Sequence, residues 1–410
     1  MRVAAAAFLA VVVVLVAGCG GSGSGKAAGT LTIAVDAPFS RSPYIGKTIA
    51  NGVALAVSEL NAQGGVTLGR STYRLKVKRY DNALSPRRAL ENVRRAIGAH
   101  AVAVVDDGTG VDASWQTAER AGVPICITYN GGEDLVDERQ RPNVFRIAPT
   151  DHGIAFRLAE YLVPKRLKLA LLHDDGSYGA DGAAALDRAF SENPGAVAIR
   201  LTVPAGAGDL SPELLRARRA GANAVLVWGE GATVAATVVA ARSVGWDVPI
   251  YAPPSAEDPI VRQQLADRPE WLDGLTFATG RMTAELGPSF FYAFEAKYES
   301  AYGEQRIGVR TRAGKAVVAL PDYAMYSYDC TNVIAAALRG ANGDQAKLVH
   351  ALEQTSIRGA NGDERGFNEH NHEGVVDDDI FFARFDDMTF RPVRDDPLSR
   401  TLPLLDQTAP

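Results

Sequence analysis

The sequence predicts an α/β fold of two lobes, each built on a largely parallel sheet, with a hinge between them. Three observations carry this. Apolar strand-like runs alternate with amphipathic helix-length segments from Thr30 to Asn130, the pattern of parallel strands joined by right-handed crossovers. The same alternation starts afresh after Asn143–Gly179. Finally, the strand ends carry glycine, hydroxyl and aromatic residues, where open parallel sheets gather ligands.

The first half opens on the strand Thr30–Ala37. A helix over Lys47–Ala62 follows, with Ile49, Val53, Val57 and Leu60 on one face and Gly64-Gly65 as its stop. Tyr73–Asp81 is a strand, and Ser85-Pro86 supplies the N-cap and first-turn proline of a helix carrying Leu90, Val93 and Ile97. A strand ending at Asp107, a helix over Ala113–Ala121 and the strand PICITYN complete this half. In Asn143–Gly179 a strand ends at Pro149-Thr150, a helix spans Gly153–Arg166, and a strand over Lys168–Asp175 runs into a glycine turn. The second half places strands at 168–175, 196–203, 224–229, 248–252 and 274–279, with helices near 180–192, 211–220, 232–244 and 258–266. Pro288–Thr355 is mostly helical, interrupted by the basic segment Arg306–Lys315, which reads as a solvated loop or a partner contact. Val375–Phe385 and Met388–Val393 form a hairpin turning at Asp386-Asp387. Residues 396–410 have little regularity and read as a surface tail.

A chain of 410 residues, 47% hydrophobic, can bury more than one core. A formal net charge of -5 without a long basic run excludes an electrostatic footprint for nucleic acid. Residues 1–18 read as a signal peptide: Arg2, then the apolar run Ala4–Ala17, too short to span a membrane comfortably. Leu15-Val16-Ala17-Gly18-Cys19 resembles a bacterial lipobox, which makes Cys19 the lipid attachment point, and residues 19–29 a flexible tether. Cys126, in an apolar strand, and Cys330, in a helix, read as buried unpaired residues.

Six turns make the candidate cleft: Asp36–Ser40, Asp106–Gly110 and Thr128–Gly132 in the first half, His173–Tyr178, Trp228–Glu230 and Pro253–Ser255 in the second. Small residues let a ligand approach the backbone, while hydroxyls and aromatics orient it. Gly108-Thr-Gly-Val-Asp-Ala113 matches a dinucleotide fingerprint, but two aspartates precede it where a pyrophosphate would be repelled. Glu369–Glu373, with His370 and His372, is the local metal-like cluster, and its loop composition favours a solvated turn over a metal site. No Walker A, G-x-S-x-G or H-E-x-x-H is present. Neither metal nor cofactor is expected.

With IAVDAPFS, NGVALAVSELNAQGGV, NVFRIAPTDHG, HDDGSYGADGAAAL and YSYDCTNVIAAAL in this order, the chain resembles type I periplasmic binding proteins, in particular the branched-chain amino acid and amide receptors of ABC importers. The resemblance covers about residues 31–395. It implies two Rossmann-like lobes, 31–148 plus 281–358 and 149–280 plus 359–395, joined by crossings near Ala148–Thr150, Ala278–Gly280 and Ile357–Gly366 and closing on a small ligand. By correspondence Thr109, Gly110, Tyr129, Asn130 and Gly131 would hold a ligand carboxylate and Tyr178 would cover it, with Trp228, Ser40 and Tyr44 nearby. The position of the family's ammonium-pairing acid falls at Ser255, leaving Glu230, Glu257 or Asp258 as substitutes; otherwise Asp106 supplies the counter-charge or the ligand differs. The Asn130–Gly132 turn is one residue short, and the first-lobe disulfide of some members is missing. These features imply a monomeric, exported, lipid-anchored receptor delivering an amino acid or amide to an ABC permease. A sensor signalling to a membrane partner is the alternative. An enzyme on this scaffold is a third reading, with His173 as the cleft's histidine, but no nucleophile–base pair is recognisable.

Overall fold

A computed structural model describes residues 27–284 and 287–409; the leader, the lipobox and Cys19 lie outside them. The first sheet is formed by β1 (Gly29–Ala37), β2 (Val66–Leu68), β3 (Ser71–Asp81), β4 (Ala101–Asp106), β5 (Ile125–Ile127) and β6 (Val144–Arg146), in the order β2-β3-β1-β4-β5-β6. All neighbours are parallel except β2, which pairs antiparallel with β3. Helices α1 (Pro43–Ala62), α2 (Pro86–Gly98) and α3 (Val111–Arg120) connect these strands. Helix α1 starts at Pro43, four residues before the expected Lys47, because proline suits a first helical turn. Ser85 caps α2, accepting from the Arg88 N–H.

After β6 the chain passes into the second lobe through Ile147–Thr150. Thr150 caps α4 (Asp151–Leu162), accepting from the Gly153 N–H at 2.9 Å. Next come β7 (Leu169–Asp174), α5 (Ser177–Ala189), β8 (Val197–Val203), α6 (Ser211–Arg219), β9 (Ala224–Trp228), α7 (Gly231–Ser243), β10 (Ile250–Ala252), α8 (Pro259–Gln264) and β11 (Thr276–Gly280). The chain returns to the first lobe for α9 (Ser289–Tyr302), a hairpin of β12 (Arg306–Arg310) and β13 (Ala316–Val318), α10 (Asp322–Gly340) and α11 (Leu348–Leu352). Helix α10 lies along α1 so closely that a Cβ on Gly52 would collide with Ser327 and the Ala324 carbonyl. A small hairpin of β14 (Ser356–Arg358) and β15 (Glu364–Gly366) precedes the last passage to β16 (Ile380–Asp386) and β17 (Thr389–Pro392), and β18 (Thr408–Ala409) ends the described chain. The second sheet runs β17-β16-β11-β10-β9-β7-β8, parallel except for β16 and β17. Its closing turn falls at Asp387-Met388, both at positive φ (51° and 65°), as a tight two-residue hairpin turn requires.

Four expectations are corrected. Arg306–Lys315 forms the first strand and the turn of the β12–β13 hairpin rather than a loop. Although it leaves the first lobe, its polar contacts are with the second: Gln263 donates to the Ile307 carbonyl at 2.8 Å, and Arg312 faces Asp273, Asp386 and Asp387. Residues 396–410 do not simply wrap the surface. Strand β18 pairs with β13, and the buried Gln407 exchanges two bonds with the Phe390 backbone. Cys126 and Cys330 are joined as a disulfide, their Cα atoms 6.3 Å apart, within reach of such a bond. Helix packing across the first sheet brings them together, and no local pattern in the sequence reports it. Glu369–Glu373 is not simply a solvated turn: His370 is exposed, but His372 is fully buried and stacks on Phe145.

That last segment packs on β6. The buried Arg146 guanidinium binds Glu373 through both carboxylate oxygens, at 2.8 and 2.5 Å, and donates to the Gly132 carbonyl at 2.7 Å. Beside it, Asp379 accepts from Arg281 at 2.9 Å and Arg365 at 3.0 Å. Glu373 and Asp379 are thus each held in a hydrogen-bonded ion pair by a largely buried arginine.

Candidate functional site

The turns at the carboxyl ends of both sheets face one another across a cleft. On the first-lobe side three aspartates hold the turns from beneath. Asp36 accepts from Asn92 at 2.9 Å, and its carboxyl is pushed up to about 8 by burial. Asp106 accepts from the Gly108 N–H at 2.7 Å. Asp107 accepts from Asn82 at 2.7 Å and from the Thr109 hydroxyl at 2.6 Å, and burial raises it to about 6. The hydroxyl of Thr109 is therefore engaged by its own turn. Gly110, at φ 74°, packs on Pro86, where a Cβ would come within 2.7 Å. Arg146 holds the neighbouring turn by its carbonyls, including that of Asn130 at 3.2 Å. A Cβ at Gly131 would lie 2.6 Å from the Asp151 nitrogen, so glycine there admits the start of α4.

On the second-lobe side, Asp174 accepts from the Glu230 N–H at 3.1 Å and from the Thr233 hydroxyl at 2.8 Å. Ser255 is buried and donates to the Gly229 carbonyl at 2.6 Å. Together these bonds fix the β9–α7 and β10–α8 turns against each other.

Two cavities lie between the lobes. The inner one is about 20 Å³, lined by Tyr129, Asp151, Tyr178, Ser255, Tyr323 and Tyr326 among others, room for about one water. Tyr129 meets Tyr323 edge-on at 5.4 Å, and Tyr323 donates to the Pro254 carbonyl of the other lobe at 3.0 Å. The outer cavity is about 510 Å³, between Tyr44 and Lys47 of α1 and the starts of α7 and α8. Glu230 projects at its second-lobe wall. Its carboxyl is raised to about 7, first by burial and then by Asp174, Asp258 and Asp107. Between the cavities, Glu257 of the second lobe and Asp322 of the first share a hydrogen bond, and burial raises Glu257 well above the carboxylate range. Arg262 is buried beside them and donates to the Glu257 carbonyl at 3.1 Å.

A model described as "Periplasmic binding protein" matches residues 30–389. The chain belongs to the periplasmic binding protein family. Among curated relatives, it is 30% identical over 204 residues to a Leu/Ile/Val-binding protein homolog 7 of Brucella abortus, covering 46% of this chain and 49% of that protein. A homolog 8 of the same species is 27% identical over 195 residues, 44% of this chain and 47% of the relative. The chain spans about half the length of the curated relatives it matches. In fold it is similar to a type 1 periplasmic binding protein of Bordetella pertussis (TM-score 0.77, 21% identity, 89% of this chain and 100% of that one). It is also similar to a branched-chain amino acid transporter substrate binding protein of Streptococcus pneumoniae in complex with isoleucine (TM-score 0.73, 21% identity, 88% and 97%). A third similar structure is a Rhodopseudomonas palustris solute binding protein in complex with benzoate (TM-score 0.70, 17% identity, 89% and 95%).

Within this periplasmic binding protein, the eleven residues singled out from sequence divide into groups. Tyr44 and Glu230 line the outer cavity; Tyr129, Tyr178 and Ser255 line the inner one. Thr109, Gly110, Asn130 and Gly131 shape the first-lobe turns. Ser40 is exposed and tied to Asp81 by its N–H and its hydroxyl, at 3.1 and 2.7 Å. Trp228 is fully buried under α5, where a Cβ on Gly182 would strike its indole; its ring lies 6.0 Å from that of Tyr178 and backs it instead of facing the cleft. Asp106 is buried beneath its turn, which leaves Glu230 and Asp258 as the acids on the outer cavity's wall. His173 sits between the Asp174 carbonyl and the Thr202 hydroxyl, each at 2.9 Å, a structural setting at the end of β7.

Sequence reasoning missed Asp151, Arg262, Asp322, Tyr323 and Tyr326. The last three recur at helical spacing in PDYAMYSYD, so their common face was open to reading; Arg262 carries no such signal.

Proposed function

We propose that this periplasmic binding protein is an extracytoplasmic receptor that captures a small ligand bearing an ammonium group and delivers it to an ABC importer. Glu230 carries this reading. It is a partly buried carboxyl on a cavity wall, it has no side-chain partner among the described residues, and its ionised form needs a counter-charge. Family membership and the names of the Brucella relatives support an amino-acid-like ligand. Capture proceeds by closure of the lobes 31–148 plus 281–358 and 149–280 plus 359–395 about the three crossings, with no covalent chemistry. Lipidation at Cys19 would hold the monomer at the outer face of the membrane, beside its permease. Among the described residues no helix is long and apolar enough to cross a membrane.

Calorimetry against the standard amino acids, small amides, aromatic acids and urea tests this. At least one amine-bearing compound is expected to bind near micromolar affinity and to compact the protein in X-ray scattering. Silence from every compound, with no compaction, overturns the receptor reading.

A further inference from the structure

The outer cavity has walls of opposite charge on opposite lobes. The second-lobe wall carries Glu230 and Asp258; the first-lobe wall carries Arg41 and Lys47, and the β12 hairpin adds Arg306 along the side. Arg306 is already paired with Glu304 at 2.9 Å. Among the described residues, Arg41, Lys47, Glu230 and Asp258 take part in no ion pair. Asp258 caps α8, accepting from the Ile260 N–H at 2.9 Å. Glu230 and Asp258 stand at the starts of α7 and α8, so a ligand carboxylate brought to either helix N-terminus would meet a carboxylate first. Tyr44, between the two walls, offers an aromatic surface.

The space is not the gap of separated lobes. Tyr323 already donates to Pro254 across the cleft, Glu257 and Asp322 share a hydrogen bond, and Gln263 holds the hairpin. With the lobes in contact at these points, the outer cavity still holds about 510 Å³, within the range of sites that enclose drug-sized ligands, about 300–1,000 Å³. The inner cavity, beside the turns expected to hold the carboxylate of a single amino acid, is filled by tyrosines down to about 20 Å³.

We propose that the ligand is an extended zwitterion of dipeptide size, its ammonium on Glu230 and Asp258 and its carboxylate on the Arg41–Lys47 wall, seated in the outer cavity. This rests on the receptor reading and narrows its ligand class. Charge-assisted hydrogen bonds contribute about 1.5–3 kcal/mol each, so each end sets roughly ten- to hundredfold in affinity.

The test is calorimetry on the mature protein with a dipeptide panel of apolar, polar and charged side chains, alongside the standard amino acids. The tightest dipeptide is repeated as its N-acetyl derivative and as its C-terminal amide. It is expected to bind at least about tenfold tighter than any single amino acid and to lose at least about tenfold on either modification. Glu230→Gln should weaken the free dipeptide but leave the N-acetyl form unchanged, and Lys47→Met should weaken the free acid but not the amide. These crossed responses distinguish lost charge recognition from a misfolded variant, which would weaken every compound. If single amino acids or amides bind and no dipeptide binds tighter, or if the blocked forms bind as well as the free one, the proposal falls and the receptor reading stands. Silence from both panels and from the small amides and aromatic acids overturns both.

Discussion

Glu230→Gln should stabilise the protein at alkaline pH while weakening amine-bearing ligands. In the folded protein the carboxyl is raised to about 7, against an ordinary value of 4.5, first by burial and then by Asp174, Asp258 and Asp107. A carboxyl raised on folding favours the folded state while protonated. Its contribution is therefore fully present below about pH 4.5 and is lost as pH rises through about 7. The full difference corresponds to about 3 kcal/mol; because the side chain is only partly buried, solvent screening reduces the expected effect to about 2 kcal/mol. Glutamine keeps the shape and stays neutral at every pH. Urea unfolding of both proteins without ligand, at about pH 4.5 and about pH 8, should give nearly equal stabilities at the lower pH. At the higher pH the variant should be more stable by about 2 kcal/mol. Taking the difference between the two proteins cancels other titrating groups such as Asp151, itself raised to about 7. A variant no more stable at pH 8, or one whose gain is the same at both pH values, refutes the argument that this carboxyl lacks a counter-charge.

Three further outcomes follow from the same structure. Replacing Cys126 and Cys330 together by alanine removes a cross-link spanning 204 positions; by chain entropy it should cost about 5 kcal/mol and lower the thermal midpoint by several degrees in calorimetry. Arg146→Met leaves Glu373 without its partner and frees the Gly132 carbonyl. It should cost about 3–5 kcal/mol in urea unfolding, with Arg146→Met/Glu373→Gln costing less than the sum of the two single changes; strict additivity would show the pair to be uncoupled. Gly131→Ala places a Cβ against the Asp151 nitrogen and, at 2.8 Å, the Pro149 carbonyl. Backbone there cannot yield cheaply, so a loss of about 1–3 kcal/mol and weaker ligand binding are expected from unfolding and calorimetry.

Residues close in sequence carried most of the fold. Alternating strand and helix periods place β1, β3, β4 and β7–β11 within a few residues of where they lie, because each period reflects burial of a whole face. Ser85-Pro86 marks the start of α2 because capping is a local bond between neighbouring residues. The short antiparallel β2 gives no comparable signal. The β12 hairpin hid for a related reason: its strands are short, the first of them basic, and the pairing is completed by β18, about ninety positions away.

For the site, the strand-end turns pointed to Tyr129, Tyr178, Glu230 and Ser255, which line the cavities, because strand ends in a parallel sheet all point to one edge. They put Trp228 there too, but tertiary packing turned that ring under α5, against Gly182. Which side of a βα turn a side chain occupies depends on what the adjoining helix leaves open, and Gly182 lies far from Trp228 in sequence. The two α/β halves and the acid-bearing turns were legible in the chain alone, because both follow from local period and turn chemistry. That Cys126 meets Cys330, that Arg146 clasps Glu373, and that Glu230 faces Arg41 and Lys47 across an open cavity emerges only in the folded chain. These are pairings between distant segments, set by how helices and lobes pack.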